Sequence, residues 1–217
     1  MDRPTCLEAV TSLLSTPSHL LRSQLRDLDV DVDAPPPSNG AWRAPSARPA
    51  VHVACRHSSR AGVEVDGLGV ADPATAGAPA GPDPAPALAP ASAGAFFTGD
   101  SVTILHDRVR SRADVETLLA HELTHARDFL VVGLDLGACG GLACSEVRAA
   151  RAAECIDRWD FLGARRRCTR EVASTSTRMA FGATDGPRCV AAVFDACYDG
   201  DDTQLKSSDV AGAVFAK

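Results

Sequence analysis

Apolar and polar positions along the first part of the chain alternate between two periodicities. Leucine and valine recur at helical spacing over residues 7–28, which predicts helix, and Pro17 is the expected break within it. Residues 50–55 alternate apolar and polar side chains, as a half-buried strand does. The beginning of the chain therefore predicts helices followed by a short strand.

The second half of the chain changes from strand to helix periodicity. Residues 95–98 and 101–106 predict a β-hairpin, with Gly99 and Asp100 as its tight turn. From about residue 112 onward the pattern predicts helix. Because strands and helices occupy separate stretches, the order of elements is typical of an α+β fold.

Two intervening segments have no such periodicity. Residues 34–49 are rich in proline, and residues 71–95 consist almost entirely of alanine, proline, glycine and aspartate. A segment of that composition cannot offset the entropy of ordering by burying apolar surface. We therefore expect residues 71–95 to be a disordered insertion or a proline-stiffened loop.

The strongest helix signal covers residues 111–133. Ser111 and Asp114 have the spacing of a capping box, which predicts that the helix begins there, and Gly133 is its predicted end. Apolar residues at helical spacing define an inward-facing stripe, made of Val115, Leu118, Leu119, Ala126 and Phe129.

Three polar side chains interrupt this apolar stripe. Glu122 and His125 lie on it, and His121 lies at its edge. Burying a carboxylate and two imidazoles requires compensation, which a zinc ion would supply. Histidines four residues apart can reach one ion at ~2.0–2.1 Å, while Glu122 points beside the ion and can act as general base on its bound water. This is the HExxH arrangement of zinc peptidases.

The alternative is a chance HExxH whose histidines are satisfied in the core. The motif lies in the middle of a helix, on its inward face, directly after a predicted hairpin. The outer strand of that hairpin, near residues 101–106, is positioned to align an extended substrate. This context favours the peptidase interpretation.

A catalytic zinc usually takes a third protein ligand. The metzincin continuation is excluded because Asp128 and Val131 stand where that motif has glycine and histidine. The next predicted helix, 142–155, offers Glu146 on a face of small alanines, and we predict it as the third ligand. Asp128 is the rival ligand, although we prefer it as the group that holds a histidine ring. The alternative for Glu146 is an ion pair with a nearby arginine.

Charge and hydropathy exclude several classes of function. The net charge is −6 and no basic stripe is present, which argues against a nucleic-acid surface. No apolar run approaches the ~18 residues of a membrane span, so any membrane association is expected to be peripheral. The short basic run at 165–167 could contact anionic lipid headgroups, but we favour the interpretation that these residues lie on a solvated helix face.

Cysteine usage points to an oxidising compartment or to buried thiols. The first 33 residues lack the basic and apolar pattern of a secretory signal and are too acidic for a mitochondrial presequence. Free buried thiols and disulfides both remain open at this point. The eight candidates for disulfides are Cys6, Cys55, Cys139, Cys144, Cys155, Cys168, Cys189 and Cys197. The last two are about 12 Å apart along one predicted helix and cannot pair with each other.

The motifs AHELTHARDFL and LACSEVRAA together resemble the Atp23 family of mitochondrial inner-membrane-associated metallopeptidases. The likeness continues around Cys155, Cys168 and Cys197, and it includes Cys6 and Cys55 upstream. The chain departs from the family pattern in three places. Ser58 stands where a second cysteine is common, while Cys139 and Cys189 look like additions and are expected to form a lineage-specific bridge.

The resemblance implies a location and a substrate. Members of this family occupy the mitochondrial intermembrane space, attached peripherally to the inner membrane and retained by oxidative folding. In some lineages they process a precursor of a membrane-sector ATP synthase subunit, and they assist assembly of that complex partly independently of proteolysis. This would explain why many cysteines accompany an N-terminus without a recognisable signal.

Together these observations predict an α+β, zincin-like fold with a small antiparallel sheet over the HExxH helix and a disulfide-tied helical C-terminal half. One zinc ion is bound by His121, His125 and Glu146, and Glu122 activates water. A single catalytic domain is divided into an N-terminal helical segment (1–33), a loop and short strand (34–70), the insertion (71–95), the metallopeptidase core (96–205) and a tail (206–217).

Two other functions remain as alternatives. A non-proteolytic assembly chaperone would use the zinc helix as scaffold, but it would have no need for the Glu122 carboxylate. A nuclear zinc protease acting on DNA-bound proteins is disfavoured by the acidic charge and by the lack of a nucleic-acid module.

Overall fold

The computed structural model describes residues 1–32, 49–58, 94–159 and 161–200. Most of the proline-rich segment 34–49, nearly all of the insertion 71–95 and the tail 206–217 lie outside the described residues.

The chain begins with two short helices. Helix α1 spans Arg3–Ser15, and the Asp2 carboxylate caps it by accepting a hydrogen bond from the backbone N–H of Thr5. Helix α2 spans His19–Leu25 and is capped by Ser18. The predicted break at Pro17 is therefore confirmed.

A four-stranded sheet follows, built from β1 (Asp29–Val32), β2 (Ala50–Arg56), β3 (Ala95–Phe97) and β4 (Ser101–Leu105). The order is β1-β2-β4-β3; β2 runs parallel to both β1 and β4, and only β3 and β4 are antiparallel. The expected hairpin is present, but the prediction of an antiparallel sheet is wrong. β2 and β4 begin at the same end of the sheet and therefore run in the same direction.

Two further expectations about the sheet are corrected. The strand at 101–106 is not an edge strand, because β4 lies between β2 and β3, and the edge next to it is β3. The predicted helical segment 1–33 also ends in a strand, β1. Its sequence DVDV has poor strand propensity, and it is held by its pairing with β2.

Helix α3 (Arg112–Arg127) lies against this sheet and carries the HExxH sequence. The predicted capping box between Ser111 and Asp114 is present. After α3 a π-helical turn spans Asp128–Val132, and the helix ends at Gly133 with φ +75°. The wider turn shifts the following side chains around the axis, which leaves Phe129 40% exposed rather than on the inward stripe.

The C-terminal half is a helical unit, as predicted. Helix α4 (Cys139–Ala152) packs on α5 (Ala164–Asp199), and α5 breaks at Gly182, where φ is +85°. Its two parts fold back on each other: Arg166 near the start forms ion pairs with both Asp195 and Asp199 near the end. The hairpin therefore offers α4 a two-helix surface.

Four disulfides join these elements. Cys6–Cys55 links α1 to β2, and the other three lie in the helical half: Cys139–Cys189, Cys144–Cys197 and Cys155–Cys168. The predicted bridge between Cys139 and Cys189 is confirmed, and no cysteine is free. The mixed α and β architecture with a disulfide-tied helical half is thus as expected. Within the described ranges, no helix has the length and apolar character needed to cross a membrane.

Candidate metal centre

Three buried side chains from two helices converge on one point. His121 and His125 project from α3 and Glu146 from α4, and one ligand atom of each lies within 4.8 Å of the others. The two Nε2 atoms are 3.0 Å apart, and the Glu146 carboxylate oxygens lie 3.5 Å from His121 Nε2 and 3.6 Å from His125 Nε2. A tetrahedral zinc site with bonds of ~2.0–2.1 Å has ligand atoms roughly 3.4 Å apart, close to these separations.

The other nitrogen of each imidazole contacts a polar side chain. His125 Nδ1 lies 2.7 Å from Ser145 Oγ, and His121 Nδ1 lies 2.8 Å from Glu154 Oε1. An imidazole that carries its proton on Nδ1, next to such a partner, presents an unshared electron pair at Nε2. Two nitrogen lone pairs and a carboxylate then face one another in a buried space. This arrangement needs a cation, so the residues fit a metal ion.

The pKa values show how the metal-free protein meets this need. Burial by itself lowers the pKa of His121, but the Glu154 and Glu146 carboxylates outweigh it and hold that pKa well above 6.5. Burial lowers the pKa of His125 to about 4. Burial raises the pKa of Glu146, yet the two histidines reverse this and keep it below its ordinary value. A proton on His121 therefore supplies the positive charge when no metal is bound.

Metal binding is accordingly expected to depend on pH. A metal ion must displace the His121 proton, so below the raised pKa of His121 affinity should fall about tenfold for each unit of decreasing pH. The measurement is metal affinity by chelator competition across about pH 6 to 8, with proton release recorded by calorimetry in two buffers. Glu154→Gln removes the largest charge that raises this pKa and should flatten the dependence. An affinity independent of pH in the unaltered protein would contradict this assignment.

Glu122 lies beside the cluster without belonging to it. Its side chain is buried, and burial raises the pKa of its carboxyl to about 7, although the nearby His121 charge opposes this. The backbone N–H of Phe97 in β3 donates a hydrogen bond to the carboxylate. A buried carboxyl that titrates near neutrality is suited to take up and return a proton.

Asp128 occupies a different place from the one the sequence suggested. It is completely buried and forms an ion pair with Arg148, with 2.8 Å between Oδ1 and Nη1. The sequence suggested that Asp128 would contact a histidine ring, but Ser145 and Glu154 make the contacts with the two histidines instead. The pair joins the end of α3 to α4, so Arg148 is engaged there rather than with Glu146.

Sequence reasoning missed Ser145 and Glu154. Ser145 directly precedes Glu146, and a hydroxyl next to a predicted ligand on a buried helix is a recognisable signal. Glu154 comes after α4 has ended at Ala152, so helical spacing no longer predicts the direction in which its side chain points. Each is adjacent to a cysteine: Cys144 precedes Ser145 and Cys155 follows Glu154.

A buried HExxH helix with a carboxylate from the following helix defines a candidate metal-dependent hydrolase. The family model of the Peptidase M76 family matches residues 85–204, which is more than half of the chain. The chain therefore belongs to this family of metallopeptidases, which is the Atp23 family that its motifs resemble. No curated protein and no solved structure matched the chain.

Two disulfides of nearly equal loop length give a matched test of how the helical half supports the centre. Cys144–Cys197 closes a separation of 53 residues and Cys139–Cys189 one of 50. Replacing both cysteines of either bridge by serine should lower the free energy of unfolding by about 4 kcal/mol, measured by chemical denaturation.

Only the loss of Cys144–Cys197 should also weaken metal binding, because Cys144 directly precedes Ser145 and Glu146 on α4. Chelator competition on folded protein provides the readout. Equal metal affinities for the two double variants would show that this bridge has no particular role in placing the ligands.

Proposed function

We propose that this protein is a zinc-dependent metalloendopeptidase with a zincin-like active site. The single observation that carries the proposal is the convergence of His121, His125 and Glu146, with the buried Glu122 beside them. In this proposal the first three residues hold one zinc ion and Glu122 is the general base. A bound zinc ion supplies Lewis acidity, which makes a water molecule acidic enough to lose a proton near neutral pH.

Glu122 carries the proton transfers. Burial raises the pKa of this carboxyl to about 7 in the metal-free protein, and a cation bound beside it would favour the ionised form, which can accept a proton from the attacking water. The same group then donates that proton to the amine that leaves as the peptide bond breaks. The Phe97 N–H holds the carboxylate in place through both steps.

The edge strand β3 is the proposed substrate-aligning element, in place of the strand at 101–106. No described strand pairs with its outer edge, whose Phe97 N–H donates to Glu122, and an extended peptide can add along this edge as a further strand. Because Phe97 of this strand donates to Glu122, a peptide bound along it would have its backbone next to the base.

Ser145 and Glu154 are proposed to position the two histidines. Their contacts with the Nδ1 atoms orient each ring and keep the Nε2 lone pair directed into the cluster. This role replaces the one that the sequence suggested for Asp128.

The proposed setting is the mitochondrial intermembrane space, with peripheral attachment to the inner membrane. The support is the family resemblance together with four disulfides, which favour an oxidising compartment over the cytosol or nucleus. The proposed substrate is the precursor of a membrane-sector ATP synthase subunit. The fully paired cysteines also disfavour the nuclear alternative.

The assembly chaperone remains the second candidate, because the same helix could serve as scaffold. The test expresses the unaltered protein or Glu122→Gln in mitochondria that lack the endogenous protein, and follows both precursor cleavage and complex assembly. Cleavage by the unaltered protein but not by a metal-bearing Glu122→Gln supports the peptidase. Assembly restored by both proteins without any cleavage would overturn it in favour of the chaperone.

A further inference from the structure

A cavity of about 270 Å³ lies between α2, α3, α4 and the start of α5, and its walls contain none of the metal-centre residues. Its composition is unusual for a protein with a net charge of −6. Within the described part of the chain, its walls contain one acidic residue, Asp27, and five arginines: Arg26, Arg127, Arg148, Arg151 and Arg165.

The positive charge of this arginine cavity is only partly compensated. Arg127 forms an ion pair with Asp27, and Arg148 forms one with Asp128 behind the cavity wall. Among the described residues, the five guanidinium groups form ion pairs with two carboxylates, so the arginines outnumber these acidic partners by three. Gathering like charges around a partly enclosed space is unfavourable unless an anion offsets the repulsion.

Two of the guanidinium groups are also held by contacts with neighbouring parts of the protein. Arg151 donates to the backbone carbonyl of Tyr198 and lies over its ring, 5.3 Å from the centroid. Arg165 donates from Nη2 to the carbonyl of Arg151 at 3.0 Å. Its buried Nε has no hydrogen-bond partner among the described residues. An array of fixed donors with such a vacant donor is preorganised for a ligand.

We propose that the arginine cavity is a binding site for a phosphate group. Guanidinium groups match phosphate oxygens with paired, charge-assisted hydrogen bonds, and a phosphate carries up to two negative charges against the excess of three arginines. Leu20 and Ile156 add apolar surface to the wall, where the carbon part of a phosphate ester can lie. The phosphate can come from a soluble phosphate compound or from a phospholipid headgroup.

The first test titrates inorganic phosphate and pyrophosphate into the metal-loaded, full-length protein by calorimetry, with chloride at matched ionic strength as the reference. We expect saturable binding at one site. Arg165→Gln should weaken it by about tenfold or more, because it removes a charged donor from the array. Arg188→Gln makes the same charge change on an exposed part of α5, 75% exposed and paired with Asp185, and should bind as the unaltered protein does.

Two controls separate this site from other causes. Phosphate bound to the metal instead would be insensitive to Arg165→Gln, and that result would overturn the proposal. Arg165 also joins α5 to α4 through its hydrogen bond to Arg151, so Arg165→Gln could disturb folding as well as binding. A second variant, Arg26→Gln, is therefore measured in parallel, because Arg26 is exposed and makes no such contact between helices among the described residues. The proposal predicts weaker phosphate binding in this variant as well.

Vesicles distinguish the two sources of phosphate. Binding to phosphatidylcholine vesicles containing phosphatidic acid, lost in Arg165→Gln and displaced by pyrophosphate, assigns the cavity to a lipid headgroup. Binding of soluble phosphate without vesicle binding assigns it to a soluble ester. No binding of either kind, or equal weakening in Arg165→Gln and Arg188→Gln, would overturn the proposal.

Discussion

Glu122→Gln is expected to lower kcat for peptide cleavage by roughly 10²–10⁴-fold while zinc affinity changes little. Glutamine has the same shape and retains an oxygen that can accept the Phe97 N–H, but it cannot accept a proton from water. Since Glu122 lies outside the three-residue cluster, its replacement leaves the metal-binding atoms in place. Initial rates on an unfolded protein substrate, with zinc content measured on the same samples, provide the test.

Stability gives a second readout for the same variant. The pKa of Glu122 is raised on folding, so the folded protein binds a proton more tightly than the unfolded chain and loses stability as pH rises through neutrality. Glutamine removes this penalty, and metal-free Glu122→Gln should be at least as stable as the unaltered protein at neutral pH. Glu171→Gln, an exposed change on α5, is the matched control.

In the kinetic test, a cleavage rate for Glu122→Gln within a few-fold of the unaltered enzyme would contradict the assignment of Glu122 as base.

The second large effect is expected at Glu146. Replacing it by glutamine removes the only carboxylate among the three convergent residues and should weaken zinc binding by at least about 100-fold, with a corresponding loss of activity at limiting zinc. Chelator competition measures the affinity, and Glu171→Gln again controls for the loss of one acidic residue.

Asp128→Asn separates the two carboxylates considered as third ligand. If the role of Asp128 is to form the buried ion pair with Arg148, its replacement leaves Arg148 buried without that carboxylate. The fold should then be destabilised by about 3–5 kcal/mol. Metal affinity of the protein that remains folded should change less than in Glu146→Gln. A greater loss of affinity in Asp128→Asn than in Glu146→Gln would assign the ligand to Asp128.

Features encoded by local spacing could be predicted from the sequence. The capping box at Ser111, the helix end at Gly133 and the shared helix face of His121 and His125 depend only on residues within a few turns of each other. The convergence of Glu146 on the two histidines could be predicted because small alanines on its helix face allow close approach to α3. The bridge between Cys139 and Cys189 was expected because these two cysteines are left over from the family pattern.

Features that depend on distant pairing could not be predicted in this way. Residues 29–32 look unlike a strand, and only their contact with β2 makes them one. Likewise, the position of β4 inside the sheet depends on where β2 lies, and this determines that β3 is the edge next to Glu122. The partner of Asp128 depends on the π-helical turn, which shifts side chains relative to ordinary helical spacing. Glu154 reaches His121 only because the chain after α4 turns back towards α3.

We propose that His121, His125 and Glu146 together bind one zinc ion. X-ray absorption at the zinc edge, on full-length protein purified without added metal and then loaded with one equivalent, tests it most directly. We expect two imidazole ligands with Zn–N distances of ~2.0–2.1 Å, oxygen ligands and no sulfur, with the spectrum altered in Glu146→Gln and unchanged in Glu171→Gln. A sulfur-rich shell, or a spectrum unaffected by Glu146→Gln, would contradict it.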